Sequence, residues 1–326
     1  MSNQIARLRQ AGIGKESTKG EVVAPTYWIP LTTPLNPNLK VERVQRNAAI
    51  GRIESKTGSD IASKNAEPSL EGYLTDKGAG LLFLAVMGKV ESEALGDGAY
   101  KHSYEVKNDS DHPALTISYK DLNFSKQIPY SMANEFTLDA NVGDYLRFNS
   151  SFIGKYEKDG SLTPNFYGGD VVFVSRHIKV QMADDIDGLD DAEALDLQSI
   201  QLKIGKGTKA HFSLNSDEPN KILNGEFGVE GTIVALQADD NWRDLFAGNT
   251  TQAIRITIEN DDVTIGTGED HAKIVITIAS VDFSGYAEDL KLEEHVKETV
   301  NFGGNYSEVD SSSLEIELTN GVASYN

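Results

Sequence analysis

The residue types in this sequence that could do chemistry are its histidines, its clustered carboxylates, one glycine-rich loop and a scatter of aromatic side chains. The six histidines are His102, His112, His177, His211, His271 and His295. None stands close to another in sequence, and no HxxxH-type spacing puts two of them on one helix face, as a paired metal site would require. They read as structural residues. The run Asp184-Asp185-Ile186-Asp187-Gly188-Leu189-Asp190-Asp191-Ala192-Glu193 has the composition of a calcium loop. It fails the EF-hand count: with Gly188 at loop position six, position one is Ala183 and position twelve is Ala194, where oxygen ligands are needed. An irregular calcium site and a solvated acidic loop are the two readings left. Gly205-Lys206-Gly207-Thr208-Lys209 lacks the GxxxxGK[ST] spacing of a phosphate loop and follows a strand without opening a helix, which makes it a loop or hairpin tip. Acids are abundant everywhere in the second half, so no pair stands out for glycoside hydrolysis. Tyr27, Trp28, Tyr156, Tyr167 and Trp242 could stack on sugars, as in a carbohydrate-binding, adhesin-like β-sandwich, but such residues also plug cores and subunit interfaces. The sequence therefore names no catalytic, cofactor-binding or metal-ligating residue.

Charge narrows the classes further. The chain of 326 residues has a formal net charge of −20. Residues 1–165 hold 19 basic and 20 acidic residues, a net of −1, so the rest carries −19. Binding to the outside of DNA needs cations to neutralise phosphates, and this balance opposes it. The absence of cysteine excludes disulfides and thiolate metal sites and suits assembly in a reducing cytoplasm. Met1-Ser2-Asn3-Gln4 is polar, unlike the start of a signal peptide, and the longest apolar run, 78–88, is too short to span a bilayer. No membrane partner is expected.

The elements that would position these residues are mostly short strands between Gly, Asn, Asp and Pro clusters: 100–106, 115–119, 135–140, 145–153, 254–258 and 274–278. Val142-Gly143-Asp144 reads as the turn of a hairpin. Along it Phe136, Leu138, Leu146, Phe148 and Phe152 alternate with Glu135, Thr137, Asp139, Arg147, Asn149 and Ser151, so one face is buried and one is wet. Two helices are expected. Residues 77–87 are apolar nearly all round and end at Gly88, which predicts a sheltered helix carrying Leu82, Phe83 and Val86. Residues 242–247 follow a candidate cap, Asp240, and end at Gly248.

Motifs recur in the same order. Leu39-Lys40-Val41 returns as Leu202-Lys203-Ile204, Leu70-Glu71-Gly72 as Val229-Glu230-Gly231, and Leu115-Thr116-Ile117 as Ile254-Arg255-Ile256. Asn149-Ser150-Ser151-Phe152-Ile153-Gly154 returns as Thr299-Val300-Asn301-Phe302-Gly303-Gly304. Shared order at offsets between 139 and 163 points to a duplication. The boundary falls in the Gly-, Pro- and Asn-rich loop 155–170. The expected fold class is mainly β: two tandem β-sandwich or half-barrel domains, 1–165 and 166–326, each flanked by one α-helix.

This order of motifs resembles the two-domain tail tube proteins of siphophages, the long-tailed bacteriophages. In the first half the resemblance rests on Thr26-Tyr27-Trp28-Ile29-Pro30, Ser69-Leu70-Glu71-Gly72, the helix 80–88, Tyr100-Lys101-His102-Ser103-Tyr104, Leu115-Thr116-Ile117-Ser118-Tyr119 and the run from Gly143-Asp144-Tyr145 to Phe152-Ile153-Gly154-Lys155. In the second half it rests on Ile222-Leu223-Asn224-Gly225, Trp242-Arg243-Asp244-Leu245-Phe246 and Asn260-Asp261-Asp262-Val263-Thr264-Ile265-Gly266. These are structural residues covering nearly the whole chain, and they bring no active site with them. The resemblance implies a non-enzymatic virion protein whose inner sheets join those of neighbours around a lumen, in stacked rings of about six domains. Three chains would supply six positions. Implied partners are other copies of the chain, the tape-measure, tail terminator and distal tail proteins, and DNA only in transit. Assembly would take place in the host bacterial cytoplasm.

On that reading the polar members of the matched hairpins face the lumen: Glu135, Thr137, Asp139, Arg147, Asn149 and Ser151, with Lys297, Thr299 and Asn301 in the second half. Arg147 and Lys297 are expected to pair across the strands with carboxylates such as Glu135 and Asp139. An external polar face is the alternative. Ring-to-ring contact is expected from the N-terminal arm, segment 46–68 and its counterpart 205–224.

Overall fold

The structure, a computed structural model, describes residues 5–165, 169–291 and 295–325. Alternating β-branched and polar residues fold as the period-two pattern dictates. In the first half β1 (Gln10–Lys15), β2 (Tyr27–Ile29), β3 (Leu31–Asn36), β4 (Leu39–Asn47), β5 (Lys56–Ala66) and β6 (Ser69–Tyr73) precede helix α1 (Asp76–Met87). After it come β7 (Gly88–Gly96), β8 (Ala99–Val106), β9 (Leu115–Lys120), β10 (Ser125–Asn141), β11 (Arg147–Ile153) and β12 (Lys158–Asp159). The second half opens with β13 (Ile178–Ala183), β14 (Leu197–Gly205), β15 (Lys209–His211), β16 (Lys221–Leu223) and β17 (Gly228–Leu236), which lead to helix α2 (Asn241–Gly248). It closes with β18 (Gln252–Thr264), β19 (His271–Asp289), β20 (Lys297–Asn305) and β21 (Leu314–Asn320).

Two strands are far longer than their sequence pattern predicts. β10 runs 17 residues and β19 runs 19, where the reading above finds only 135–140 and 274–278. Each passes from one sheet into another. β10 pairs with β9 and β12 at its start, then with β11 and β14. β19 pairs with β21 as far as Ile278 and with β18 as far as Val281, and from Ser280 onward with β20. The change of sheet sits at a bulge, between Ala133 and Glu135 in β10 and between Phe283 and Gly285 in β19. An extra residue there bends the strand and raises its twist.

Six pairings of the first half correspond to six of the second, while β1–β2 and the β7–β8 hairpin have no counterpart among the described residues. β1–β9 matches β13–β18, β9–β10 matches β18–β19, β10–β11 matches β19–β20, β11–β6 matches β20–β17, β6–β3 matches β17–β14 and β10–β12 matches β19–β21. The hairpin β4–β5 corresponds to β15–β16. Counting along the ladders also corrects the motif matches. The bulges at Ala133 and Phe283 lie 150 residues apart, and 149–154 does correspond to 299–304 at that same offset. Leu70, however, takes the place of Ile233 rather than Val229, Leu39 that of Ile204 rather than Leu202, and Ile117 rather than Leu115 that of Ile254. Each slip is an even number of residues. Such a slip leaves every side chain on its own face, so the hydrophobic pattern alone does not detect it.

One buried cluster runs through both halves, from Ile13 and Phe83 to Ile256 and Ile316. The halves also exchange strands: β21 pairs with β8, the partner of β7, and β14 pairs with β10. Helix α1 begins at Thr75, whose Oγ1 accepts from the Gly78 N–H (3.3 Å), and stops at Gly88 in the left-handed conformation. Its Leu82, Phe83 and Val86 are each no more than 1% exposed. Helix α2 ends one residue later than predicted: Gly248 is helical and Asn249 takes the left-handed position. The Asp240 carboxylate does not cap the helix; it faces Arg243 (3.2 Å).

Candidate functional site

The feature that organises the molecule is a single antiparallel ladder in the order β3, β6, β11, β10, β14, β17, β20 and the C-terminal part of β19. One face of it is buried: Phe136, Leu138, Phe148, Phe152, Leu202, Ile233, Val300 and Phe302 are at most 2% exposed. The opposite face is mostly polar, with Val234 and Leu236 beside Thr299 and Lys297, and is at least partly open along its length. There Glu135 stands opposite Ser151, Thr137 opposite Asn149, and Asp139 opposite Arg147. Asn301, Thr299 and Lys297 continue this face on β20, against Thr232 on one side and Asp289 on the other. All nine candidate lumen residues thus lie on one face, brought there by alternation and by the pairings of β10, β11 and β20.

Charges on this face are mixed. Glu71, Glu135, Asp139, Glu230 and Asp289 carry negative charge there; Arg147, Lys203 and Lys297 carry positive charge. Glu135 pairs with Lys203 (3.0 Å), and Asp139 accepts a hydrogen bond from Gln201 Nε2 (2.5 Å). Both contacts cross the join between β10 and β14. Arg147 binds neither of the expected carboxylates. It reaches Asp144 (3.0 Å), on its own chain three residues back, and lies over the Tyr73 ring. A turn partner needs less ordering of a long side chain than a cross-strand one, and the sequence does not rank the two. Thr232 Oγ1 donates to Asn301 Oδ1 (2.9 Å), a cross-strand tie on the same face.

The other sequence candidates scatter. His102 is fully buried, bridging Ser92 Oγ (2.8 Å) and Asn320 Oδ1 (3.2 Å), and burial lowers its pKa. His112 sits against Gly88 with Nε2 at the Lys107 carbonyl (2.7 Å); burial, reinforced by the Lys206 charge, pushes its pKa down to about 4. Among the described residues no group of three His, Asp or Glu side chains converges as a metal site would require. The acidic run engages protein partners: Asp184 accepts from Gln252 (3.0 Å), Asp185 from the Gly188 N–H (2.9 Å), and Asp190 pairs with Arg255. Trp28 and Trp242 are buried and Tyr156 lies beneath Lys64. The Tyr27 hydroxyl donates to Asp170. Tyr167 falls outside the described residues.

The glycine-rich loop holds the residue that the sequence reading missed. Lys206 is 1% exposed, and its ammonium donates to the Ala85 carbonyl at the C-terminal end of α1 (2.8 Å). A lysine of the second half thereby satisfies an orphan carbonyl of the first half's helix. Desolvation lowers its pKa to about 7. Its neighbours Gly205 and Gly207 carry no local sign of burial, so only the fold reveals it.

A family model for phage tail tube proteins matches residues 6–304. This chain belongs to that family. The match spans both halves, from the 3₁₀ turn before β1 to the end of the β20 core. Among curated proteins none matches the chain. As a phage tail tube protein it is a structural component of the virion tail, built for self-assembly, and its mainly β fold fits that role. No helix among the described residues is long and apolar enough to cross a membrane. Nothing in these comparisons favours the sugar-binding alternative.

Proposed function

We propose that the chain is the repeating subunit of the tail tube, forming stacked rings whose lumen conducts the genome during ejection into the host. The observation that carries this reading is the eight-strand ladder. It is two four-strand units of matched pairing, 1–165 and 166–326, already joined edge to edge within one chain. Each unit is one tube domain, so three chains give six positions and a ring with pseudo-six-fold appearance. The polar face of the ladder lines the lumen, and the neighbouring strands and both helices lie outside it. Assembly proceeds in the host cytoplasm without a cofactor or catalytic step. The tube then meets the tape-measure, tail terminator and distal tail proteins.

Stacking is assigned to the N-terminal arm, to segment 46–68 and to 205–224. The hairpin β4–β5 fits this role because nearly all of it is exposed, including Val44, Ile50, Ile53 and Ile61. A lone two-stranded hairpin is marginal in water, and apolar side chains in solvent invite a partner.

Negative-stain microscopy of the purified chain tests the tube, with three-fold symmetry expected in the rings. Six chains per ring would overturn the two-domain assignment. The lumen assignment is tested by Glu135→Lys with Asp139→Lys in phage that still build tails. Lysines facing DNA hold phosphates through counterion release, so ejection slows at low salt and recovers as salt rises. Unchanged ejection at low salt would place this face outside the tube.

A further inference from the structure

The eight-strand ladder contains one join between the halves and two unjoined edges. At the join, β14 lies along the part of β10 that follows the bulge. Glu135 faces Ser151 of β11 on one side and Gly205 of β14 on the other. β14 therefore occupies the side of β10 that β9 occupies before the bulge. In the second half, β19 corresponds to β10 at an offset of 150. Its equivalent seat is the β18 side of residues 285–291. Val281 still pairs with Gln252 of β18 on that side and with Gly304 of β20 on the other. Beyond it, among the described residues, β19 pairs with β20 alone. The counterpart of β14 is β3, which among the described residues pairs with β6 alone. The two ends of the ladder are the two halves of a join that the chain has already made once.

Resting on the tube reading above, we propose that the C-terminal part of β19 pairs antiparallel with β3 of the next chain, in the register of β10 on β14. Transferring the register places Asp289 opposite Asn36 and Leu290 opposite Leu35. The side chains suit those positions. Within the chain, Asp139 accepts from the carboxamide of Gln201; Asp289 and Asn36 offer the same carboxylate and carboxamide. Ala140 and Ile204, buried at the internal join, correspond to Leu290 and Leu39, which are 69% and 36% exposed. Apolar side chains are left in solvent at both edges where the internal join covers their counterparts. The ion pair of Glu135 with Lys203 has no equivalent, because Gly285 and Asn38 take those places. The edge is also guarded. Pro34 and Pro37 supply no N–H, and Arg9, held by Asp121 (2.8 Å), donates to the Leu35 carbonyl (2.6 Å). Such devices deter indiscriminate strand pairing and keep the external ladder short. Joining unlike edges is a heterologous contact, which closes a ring when the rotation fits.

The chain has no cysteine, so the register can be read by cross-linking. Directly opposed residues have Cα atoms about 4.5–5.5 Å apart, within the range a disulfide spans. Oxidised tubes of the Asn36→Cys, Asp289→Cys variant are expected to give covalent multimers ending at the number of chains per ring. The slipped pair, Asn36→Cys with Ala287→Cys, is expected to give none. Cross-linking only in the slipped pair, or in neither while micrographs show tubes, overturns the proposed pairing and leaves the tube reading standing. Absence of rings or tubes from the unmodified chain overturns the tube reading itself. Hydrogen exchange of unmodified tubes against free chain decides the matter if the variant does not assemble. Amides within 31–36 and 285–291 are expected to gain protection on assembly, and unchanged exchange there overturns the pairing.

Discussion

The two helices hold the same place in the repeated pairing order, yet α1 is buried nearly all round and α2 buries only Trp242. Each packs on the long bent strand of its own half, α1 on β10 and α2 on β19. The difference lies in what covers the outer side. α1 is roofed by the second half: β21 runs against it, Lys206 meets its last turn, and the Tyr325 ring rests on Gly80. The Tyr325 hydroxyl donates to the Lys77 carbonyl (2.8 Å) and accepts from Asn320 Nδ2 (2.7 Å). No comparable cover lies over α2 among the described residues. Phe246 remains 40% exposed and stacks only on Tyr286 among the described rings. Burial of α1 is shared: β1, β2, β7 and β8 of its own half pack on it as well as β21 of the second half, whereas α2 rests chiefly on β19. The two sequences record this: α1 has no polar face, whereas α2 has Arg243 and Asp244 on its exposed side.

The largest expected effect separates the helices outright. Phe83→Asp buries an unpaired charge among Tyr104 and Phe136, a cost of several kcal/mol. Insoluble or unfolded protein is expected, while Phe246→Asp leaves the free chain folded with a melting temperature within a few degrees of the parent. Equal damage from both would erase the contrast.

A smaller effect tests the roof. A Cβ at Gly80 would lie 2.1 Å from the Tyr325 ring, so Gly80→Ala must displace the C-terminal tail. Denaturant titration is expected to show a loss of about 1–3 kcal/mol, the usual range for overpacking. Gly248→Ala meets only Thr250 Oγ1, at 3.1 Å, and is expected to be neutral or mildly stabilising, by up to about 1 kcal/mol.

Two buried titratable groups at α1 sharpen the comparison through pH. Burial raises the Asp76 carboxyl to about 6, although it accepts from the Val171 N–H (2.9 Å). Its neutral form is favoured in the folded chain. The stability it contributes is complete below the unfolded carboxyl range, near pH 4, and is lost as pH rises through about 6. Asp76→Asn keeps the acceptor and is expected to flatten the stability profile between pH 4 and 6. Lys206 titrates the other way. Its pKa, lowered to about 7, makes stability rise with pH between about 7 and the ordinary lysine range, because the unfolded chain binds the proton more tightly there. Lys206→Met is expected to remove that slope, at the cost of the hydrogen bond to Ala85. Urea midpoints across pH 4–10 check both, and a profile that neither variant changes would show these groups to be solvated.

Much of the fold was legible in the residues, with particular failures. The hairpin of β10 and β11 could be read from Phe136, Leu138, Phe148 and Phe152 because a two-residue period survives any tertiary context. The even slips at Leu39, Leu70 and Leu115 could not be caught, since they change partners without changing faces. The lengths of β10 and β19 were hidden because each bulge adds a residue and breaks the alternation, so the pattern reads as separate short strands. The polar face of the candidate site was readable one strand at a time. Its partners were not, as Arg147 with Asp144 and Glu135 with Lys203 show.

The sequence by itself determined the mainly β class, two helices, the buried and wet face of each strand, the order of the repeated motifs and the resemblance to tail tube proteins. These are local or periodic properties, fixed by side-chain chemistry along a few residues. Only the tertiary structure decided that β14 seats on β10, that Lys206 reaches α1, and that β3 and the end of β19 are left as edges. Those facts join distant residues, 62 positions apart for Asp139 and Gln201 and 121 for Ala85 and Lys206. Burial and register between such segments depend on how whole sheets pack, and no local pattern in the chain records that.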